Sequence, residues 1–155
     1  MTVKTDKPSQ LRVLVTAGAS GIGRVIAESF AQTGARLHIC DIADAALGEA
    51  KKTHPTWGVS RCDVSQSDQV AGLFEEVGNN FGGLDVLINN AGIAGPTGGV
   101  EEITADDWRR TVDINLNGQF YCANRAVPLL KKSPNASIIC ISSVAGRLGY
   151  AYRTP

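Results

Sequence analysis

The stretch LRVLVTAGASGIGRVIAESF, residues 11–30, predicts a buried strand, a glycine-rich turn and a helix. Apart from Arg12, its first six residues are apolar or β-branched, which is typical of a strand in a buried parallel sheet. After the turn, Ile22, Ile26 and Phe30 recur at helical spacing. Glycines between a strand and a helix allow a tight turn and let backbone N–H groups approach a phosphate. The stretch therefore predicts the first unit of an α/β fold.

The same alternation of strand and helix continues along the chain. We predict strands at residues 11–16, 36–41, 58–64, 85–89 and 137–142. We predict helices at residues 21–33, 43–53, 65–80 and 104–132. Ser65-x-x-Asp68 and Thr104-x-x-Asp107 indicate capping boxes, and Gly118 and Pro128 are expected to interrupt the last helix. This order predicts a doubly wound parallel sheet covered by helices on both faces.

Composition limits the classes of protein that remain. The 155 residues are 43% hydrophobic and amount to about one domain, which we place at residues 11–155, after a flexible polar arm at residues 1–10. Lys plus Arg equals Asp plus Glu at 15 each, so charge does not favour nucleic acid or an anionic membrane. No apolar run approaches the roughly eighteen residues that a membrane helix needs. Four widely spaced cysteines favour reduced thiols in a cytosolic protein over a metal site or disulfides.

The glycines of the first turn leave two interpretations open. Gly18-x-x-Gly21-x-Gly23 is not the G-x-G-x-x-G dinucleotide fingerprint. It nearly satisfies a P-loop, but Arg24 and Val25 stand where Lys and Ser or Thr are required. Phosphoryl transfer is therefore disfavoured. On this loop alone, a structural turn without a ligand stays an alternative.

Two further features favour a nucleotide site. Asp41 ends the second strand about 20 residues after the loop, where a carboxylate can bond an adenosine ribose and repel a 2′-phosphate. The same carboxylate could equally cap the next helix. The fourth strand ends in NNAG, residues 89–92. Because the first and fourth strands flank the switch point of a doubly wound sheet, both loops border one crevice.

Six elements together resemble the classical short-chain dehydrogenase/reductase family, in that family's order, over residues 11–155. They are TAGASGIG at residues 16–23, Asp41, Asp63-Val64, NNAG, Asn115 and Ile141-Ser142-Ser143. The resemblance implies a Rossmann-type NAD(P) domain and hydride transfer between nicotinamide and a secondary alcohol or ketone. A 3-oxoacyl carrier-protein reductase is one form of this activity, and a sugar, polyol or steroid dehydrogenase is the alternative.

The resemblance also implies roles for individual residues. Cofactor-binding residues would be Ala17, Gly18, Ser20, Gly21, Ile22, Gly23, Asp41, Ile42, Asp63, Val64, Asn90, Ala91 and Gly92. Ala17 replaces the family's first glycine and narrows the turn. Asp41 favours NAD over NADP. Ser20 does so too, because it stands where NADP-preferring members of the family often carry a basic residue.

Two catalytic positions are implied. Ser143 would polarise the substrate carbonyl, although a Ser-Ser strand end is more often structural. Asn115 would belong to a proton relay. Without the resemblance, Asn115 is a packing amide beside a core stripe formed by Trp108, Val112, Leu116 and Phe120. No metal is implied.

The family's proton donor, a tyrosine followed four residues later by a lysine, is expected just after Pro155. Thr154 lies four residues after Tyr150, and Tyr150 and Tyr152 are expected in a loop beside the substrate entrance. The chain is therefore expected to lack the C-terminal part of the fold and to be inactive alone. Its fifth strand is expected to present an unpaired apolar edge that promotes aggregation.

For the full-length form, the resemblance implies a cytoplasmic homodimer or homotetramer that acts on a small alcohol or ketone. The alternative from a different class is a catalytically inactive nucleotide-binding module.

Overall fold

The computed structural model describes residues 10–152. Its strands are β1 Arg12–Thr16, β2 Arg36–Asp41, β3 Gly58–Arg61, β4 Val86–Asn89 and β5 Ser137–Cys140. Its α-helices are α1 Gly21–Gln32, α2 Asp44–Thr53, α3 Ser67–Phe81, α4 Ala105–Val112 and α5 Gly118–Leu130. The strands form one parallel sheet in the order β3-β2-β1-β4-β5, so the predicted doubly wound Rossmann-type sheet is confirmed. The predicted polar arm lies outside the described residues apart from Gln10.

Alternate strand residues are buried on opposite faces of the sheet. Val13, Val15 and Ile39 join an apolar cluster that includes Ala27 of α1 and Leu47 of α2. On the other face, the apolar cluster is formed by Leu14, Cys40, Leu87, Val70, Phe74, Val77, Cys122 and Ala126. Because both faces are buried, the strand sequences are almost continuously apolar. Full burial of such a side chain contributes roughly 1.5–3 kcal/mol to folding.

The strand order creates a crevice between β1 and β4. Successive strands build outward from β1 to β3, and the chain then returns to place β4 on the opposite side of β1. Val13 pairs with Val86 and Val15 with Ile88, so the two strands end side by side. The loops that follow them diverge to opposite faces of the sheet, which opens a ligand-sized crevice at the carboxyl edge.

One of the two predicted capping boxes is wrong. Helix α3 has Gln66 at its N-cap, without a side-chain cap bond. Ser65 instead donates from both N and Oγ to Asp63 Oδ1, at 3.0 and 2.7 Å. A carboxylate two residues upstream can accept such bonds in a turn, and it competes successfully for the serine. Thr104 does cap α4, because its Oγ1 accepts a bond from Asp107 N at 3.1 Å.

The long predicted helix is divided into α4 and α5 by a π-helical turn, Asp113–Asn117. The N–H of Gly118 bonds the carbonyl of Asp113, five residues back. A Cβ on Gly118 would lie 2.8 Å from Val64 Cγ2, so this glycine allows the helix to approach the loop after β3. The predicted interruption near Gly118 is confirmed, whereas the one at Pro128 is wrong, because α5 continues through Pro128 to Leu130.

The predicted core stripe of this helix is wrong. Trp108, Leu116 and Phe120 are 49%, 65% and 63% exposed. The helical residues that face the core are smaller or lie further along the chain: Thr111, Gly118, Cys122, Ala126 and Leu130. An i, i+4 apolar pattern predicts that a face will be covered, but it does not identify the covering element.

Strand β5 lies at the edge of the sheet that residues 10–152 form. It pairs with β4, and its four residues are exposed, including Ile138 at 38% and Ile139 at 43%. The expected unpaired apolar edge is confirmed, whereas aggregation through it stays a prediction. Among the helices of the described part of the chain, none combines the length and apolarity needed to cross a membrane.

Candidate cofactor and catalytic site

The glycine-rich loop packs directly on β2 and on the loop after β4. Gly18 N donates to Cys40 O at 3.0 Å, and a Cβ on Gly18 would lie 2.9 Å from Ile39 Cβ. A Cβ on Gly23 would overlap Ala17 O and lie 2.5 Å from Asn90 Nδ2. Glycine is therefore required at both positions, because neighbouring atoms approach the backbone too closely for a Cβ. Ala17 retains the turn by adopting a left-handed conformation, with φ of +48°.

The first turn of α1 presents a polar backbone surface. Ser20 is the N-cap residue, yet its side chain makes no capping bond. Gly21 has φ of +54° with open space around its Cβ position, and Ser20, Gly21 and Ile22 are exposed. The N–H groups at the start of a helix lack intrahelical partners and carry the positive end of the helix dipole. This end of α1 can hold a phosphate group.

Asp41 connects the end of β2 to the glycine-rich loop. Its Oδ2 accepts a bond from Ala19 N at 3.2 Å, and its Oδ1 accepts bonds from Ile42 N and Ala43 N at 2.8 and 3.1 Å. The N-cap residue of α2 is Ala43, so Asp41 does not cap that helix. Only one backbone donor reaches Oδ2, which retains the capacity to accept a hydroxyl.

Thr16 and Asn90 join the loops at the ends of β1 and β4. Thr16 Oγ1 accepts bonds from Asn90 N at 3.0 Å and Ala91 N at 2.9 Å, and donates to Ile88 O at 3.3 Å. Asn90 Nδ2 donates to the carbonyl oxygens of Thr16 and Ala17. Sequence reasoning missed Thr16. Its position as the last residue of β1, beside β4, is the signal that could have identified it.

Asp63 and Val64 follow β3 at the same edge of the sheet. Cys62 N donates to Asp41 O at 3.0 Å, so the segment after β3 runs beside the end of β2. Asp63 is half-buried and organises the turn before α3, whereas Val64 is buried against Gly118. Ile42 is 58% exposed. The predicted cofactor-binding residues therefore all lie at or after the carboxyl ends of β1, β2, β3 and β4, at one edge of the sheet.

Asn115 lies in the π-helical turn and bonds the backbone of Ile93 twice. Its Oδ1 accepts from Ile93 N at 2.8 Å, and its Nδ2 donates to Ile93 O at 2.9 Å. A Cβ on Gly92 would lie 3.3 Å from Asn115 Oδ1. The side chain therefore fixes the segment that follows NNAG against the helix.

The serines after β5 lie next to the NNAG segment. Ile141 N donates to Asn89 O at 2.8 Å, which brings Ser142 and Ser143 to the edge occupied by the loop after β4. Ser143 is exposed, and its Oγ accepts a bond from Ala145 N at 3.2 Å, capping a short helical turn, Val144–Gly146. The hydroxyl proton remains free to be donated to another acceptor.

The exposed tyrosines lie near this edge as well. Gly98 N donates to Tyr152 O at 3.2 Å, so the segment containing Tyr150 and Tyr152 contacts the long loop after β4. Tyr150 is 52% exposed and Tyr152 67%.

Three buried thiols lie beneath these loops. Burial raises the pKa of Cys122 to about 12. A hydrogen bond with Cys62, together with burial, raises the pKa of Cys40 well above the usual thiol range. At neutral pH, Cys40 and Cys122 are therefore protonated and poor nucleophiles. Within residues 10–152, no group of three His, Cys, Asp or Glu side chains could hold a metal ion.

Comparison with known proteins matches almost the entire chain. A family model described as short chain dehydrogenase matches residues 11–155. The chain is 39% identical over 142 residues to a 3beta-hydroxysteroid dehydrogenase of Mediterraneibacter gnavus, covering 89% of this chain and 51% of that protein. It is 35% identical to an L-fucose dehydrogenase of Bos taurus, covering 92% of this chain and 53% of the relative. The chain thus spans about half the length of the curated relatives it matches.

Solved structures share the fold. A ligand-free aldohexose dehydrogenase of Thermoplasma acidophilum superimposes with a TM-score of 0.78 at 38% identity, covering 87% of this chain and 50% of that one. A short-chain dehydrogenase of Streptomyces avermitilis gives a TM-score of 0.87 at 27% identity, covering 94% of this chain and 54% of that one.

Proposed function

The chain belongs to the short-chain dehydrogenase family, and we propose that it binds NAD in the crevice between β1 and β4 for hydride transfer to or from a secondary alcohol or ketone. The observation that carries this proposal is the link between three loops at that crevice. Asp41 bonds Ala19 of the glycine-rich loop, and Asn90 bonds Thr16 and Ala17 on its other side. The open space around Gly21 leaves the exposed first turn of α1 accessible to a ligand.

The residues present fit a dinucleotide. The N–H groups at the start of α1 would hold the pyrophosphate, and Asp41 Oδ2 would accept a bond from the adenosine ribose. Asp63, Val64 and Ile42 would flank the adenine. Asn90, Ala91 and Gly92 would lie beside the nicotinamide ribose. When bound, the nicotinamide supplies a carbon that accepts or donates the hydride.

Two side chains have roles beyond cofactor binding in this proposal. Ser143 would donate its free hydroxyl proton to the substrate oxygen and polarise the carbonyl. Asn115 would hold the segment after NNAG in place through Ile93, as a positioning residue that takes part in the relay. The proposal includes a general acid of the Tyr-x-x-x-Lys type, which residues 1–155 do not contain. The 155-residue chain is therefore proposed to bind cofactor without turnover.

NAD is the proposed cofactor because Asp41 is a charged acceptor at the ribose position. A fixed carboxylate bonds the 2′-hydroxyl of NAD but repels the 2′-phosphate of NADP. Asp41 is only 8% exposed and is bonded to three backbone N–H groups, so it cannot turn away readily.

A cyclic secondary alcohol is the proposed substrate class. The relatives reported above act, by their names, on steroids and sugars. We therefore favour a steroid or sugar dehydrogenase over a 3-oxoacyl carrier-protein reductase. We also propose a homo-oligomer in the cytoplasm. Support for self-association comes from the exposed stripe of Trp108, Leu116 and Phe120, since apolar side chains of this size favour burial in an interface.

Isothermal titration calorimetry of the purified chain with NAD and with NADP tests the cofactor assignment. We expect NAD to bind more tightly. Asp41→Asn keeps an acceptor oxygen for the loop but removes the charge, so it should reduce the preference for NAD at least several-fold. Asp106→Asn, which removes an exposed carboxylate on α4, is the control. An unchanged preference in Asp41→Asn would overturn the assignment.

The coding sequence beyond codon 155 separates the enzyme from the inactive module. An in-frame Tyr-x-x-x-Lys supports the oxidoreductase, whereas a stop codon directly after Pro155 supports a nucleotide-binding module.

A further inference from the structure

Arg61 lies directly opposite Asp41 in the sheet. The two residues are register partners at the ends of β3 and β2. Side chains of paired residues in parallel strands point to the same face. On that face, Leu37, Ile39 and Val59 pack in the cluster beneath α1 and α2. The guanidinium of Arg61 therefore shares the side of the sheet on which Asp41 bonds the glycine-rich loop.

The charge of Arg61 is held only loosely. Its Nε lies 3.5 Å from Asp44 Oδ1, and the two side chains are 58% and 79% exposed. An exposed pair of this kind contributes little to stability and rearranges easily. Asp41, in contrast, is a buried carboxylate held in place by three hydrogen bonds from backbone N–H groups. A fixed anion and a movable cation thus border the same position.

The hydroxyl of Ser20 adds a third polar group. Ser20 follows Ala19, whose N–H bonds Asp41, and its side chain makes no capping bond. A hydroxyl and a guanidinium are donors of the kind that bind a phosphate monoester. Such a phosphate carries a charge of about −1.5 to −2 at neutral pH.

We propose that Arg61 is a second cofactor-specificity residue. It attracts a 2′-phosphate to the adenosine ribose position, from which Asp41 repels that phosphate. The inference rests on the proposed dinucleotide function and extends it. Asp41 sets the preference for NAD, and Arg61 limits how strong that preference is. Neutralising Asp41 would then convert the position into a working 2′-phosphate site, because the cation is already in place.

ADP-ribose and 2′-phospho-ADP-ribose are suitable probes because they carry the discriminating group without the nicotinamide. Affinities are measured by calorimetry for the whole chain and for Asp41→Asn, Arg61→Met and the double variant. Methionine keeps the apolar stem of the side chain without its charge. Arg109→Met is the matched control, since Arg109 forms a similarly exposed pair with Asp106, on α4.

In the Asp41→Asn background, Arg61→Met should weaken 2′-phospho-ADP-ribose about tenfold more than ADP-ribose, as expected for loss of a charge-assisted bond. Arg61→Lys should restore part of the difference, and added salt should reduce it. Arg109→Met should leave the ratio of the two affinities unchanged. Because Arg61 is exposed, its replacement should leave the melting temperature of each background, unmodified or Asp41→Asn, unchanged, which circular dichroism checks.

The outcomes separate the two proposals. If the unmodified chain binds ADP-ribose but Arg61→Met changes both affinities equally, the role of Arg61 is overturned and the dinucleotide site stands. If no variant binds ADP-ribose, the proposed function itself fails, and the inference fails with it.

Discussion

Asn90 bonds Thr16 twice, from its backbone N to Thr16 Oγ1 at 3.0 Å and from its side-chain Nδ2 to Thr16 O at 2.9 Å. Thr16 is the last residue of β1 and Asn90 is the first residue after β4, so these bonds hold both walls of the crevice in one geometry. Thr16 is 1% exposed. A buried hydrogen-bonded pair at this point fixes the loop positions before any ligand arrives, which lowers the entropic cost of binding.

Replacing Thr16 with valine should destabilise the fold although the side chain keeps its shape. The variant leaves the N–H of Ala91 without its acceptor and that of Asn90 with only Ile88 O, and an unsatisfied buried donor costs roughly 1–3 kcal/mol. We expect the free energy of unfolding in urea to fall by about 2 kcal/mol, and the affinity for ADP-ribose to fall with it. Thr16→Ser, which keeps the hydroxyl, is the control. A Thr16→Val variant that loses no more stability than Thr16→Ser would contradict the prediction, because the hydrogen bonds would then contribute no more than the methyl group.

The parts of this fold that sequence could predict are those determined locally. The strand Arg36–Asp41 was predicted with its observed bounds, and the glycine-rich loop was placed correctly between β1 and α1. Runs of apolar residues indicate the strands, and glycines between them indicate the turns. The general rule for doubly wound sheets then brings the loops after β1 and β4 together without any knowledge of contacts.

The parts that could not be predicted depend on partners distant in the chain. The bond from Ala19 N to Asp41 Oδ2 follows from the register of β2 against β1. The exposure of Leu116 and Phe120 follows from which elements lie against α5. The failed capping box at Ser65 has a local cause instead, because Asp63 was a competing acceptor two residues away. Helical spacing identifies an apolar face but not its partner.

Ala17 should be a site at which glycine stabilises the chain. An alanine in the left-handed region costs about 1–2 kcal/mol relative to ordinary helical backbone, whereas glycine adopts it freely. The greater entropy of glycine in the unfolded chain offsets about 0.4–1 kcal/mol of that gain. We therefore expect Ala17→Gly to raise the free energy of unfolding by about 0.5–1 kcal/mol in urea titrations.

Ala19 in the same loop is the control for this prediction, because its φ is not positive and its methyl group is buried. Ala19→Gly should lower the free energy of unfolding. The prediction for Ala17 is wrong if both variants lose stability to the same extent.

The ion pair between Arg12 and Asp85 should make the fold sensitive to acid. Arg12 Nε donates to Asp85 Oδ2 at 2.9 Å, Nη2 donates to Oδ1 at 2.8 Å, and Arg12 N also bonds Oδ2. The bonds from Arg12 hold the pKa of Asp85 well below its usual range. Because the folded-state pKa is depressed, the stabilisation is complete above the unfolded pKa, near 3.9, and is lost as pH falls toward the folded value.

We therefore expect the free energy of unfolding to decline below about pH 4 in urea titrations between pH 2 and pH 7. Asp85→Asn should lower stability at pH 7 by about 2–3 kcal/mol, since it leaves the partly buried Arg12 without its counter-charge. The same variant should show a shallower decline in acid, because the titrating group has been removed. Asp106→Asn, which breaks an exposed pair with Arg109, should keep the pH dependence of the parent chain. An Asp85→Asn variant whose stability falls with acid as steeply as the parent's would show that other carboxylates cause the sensitivity.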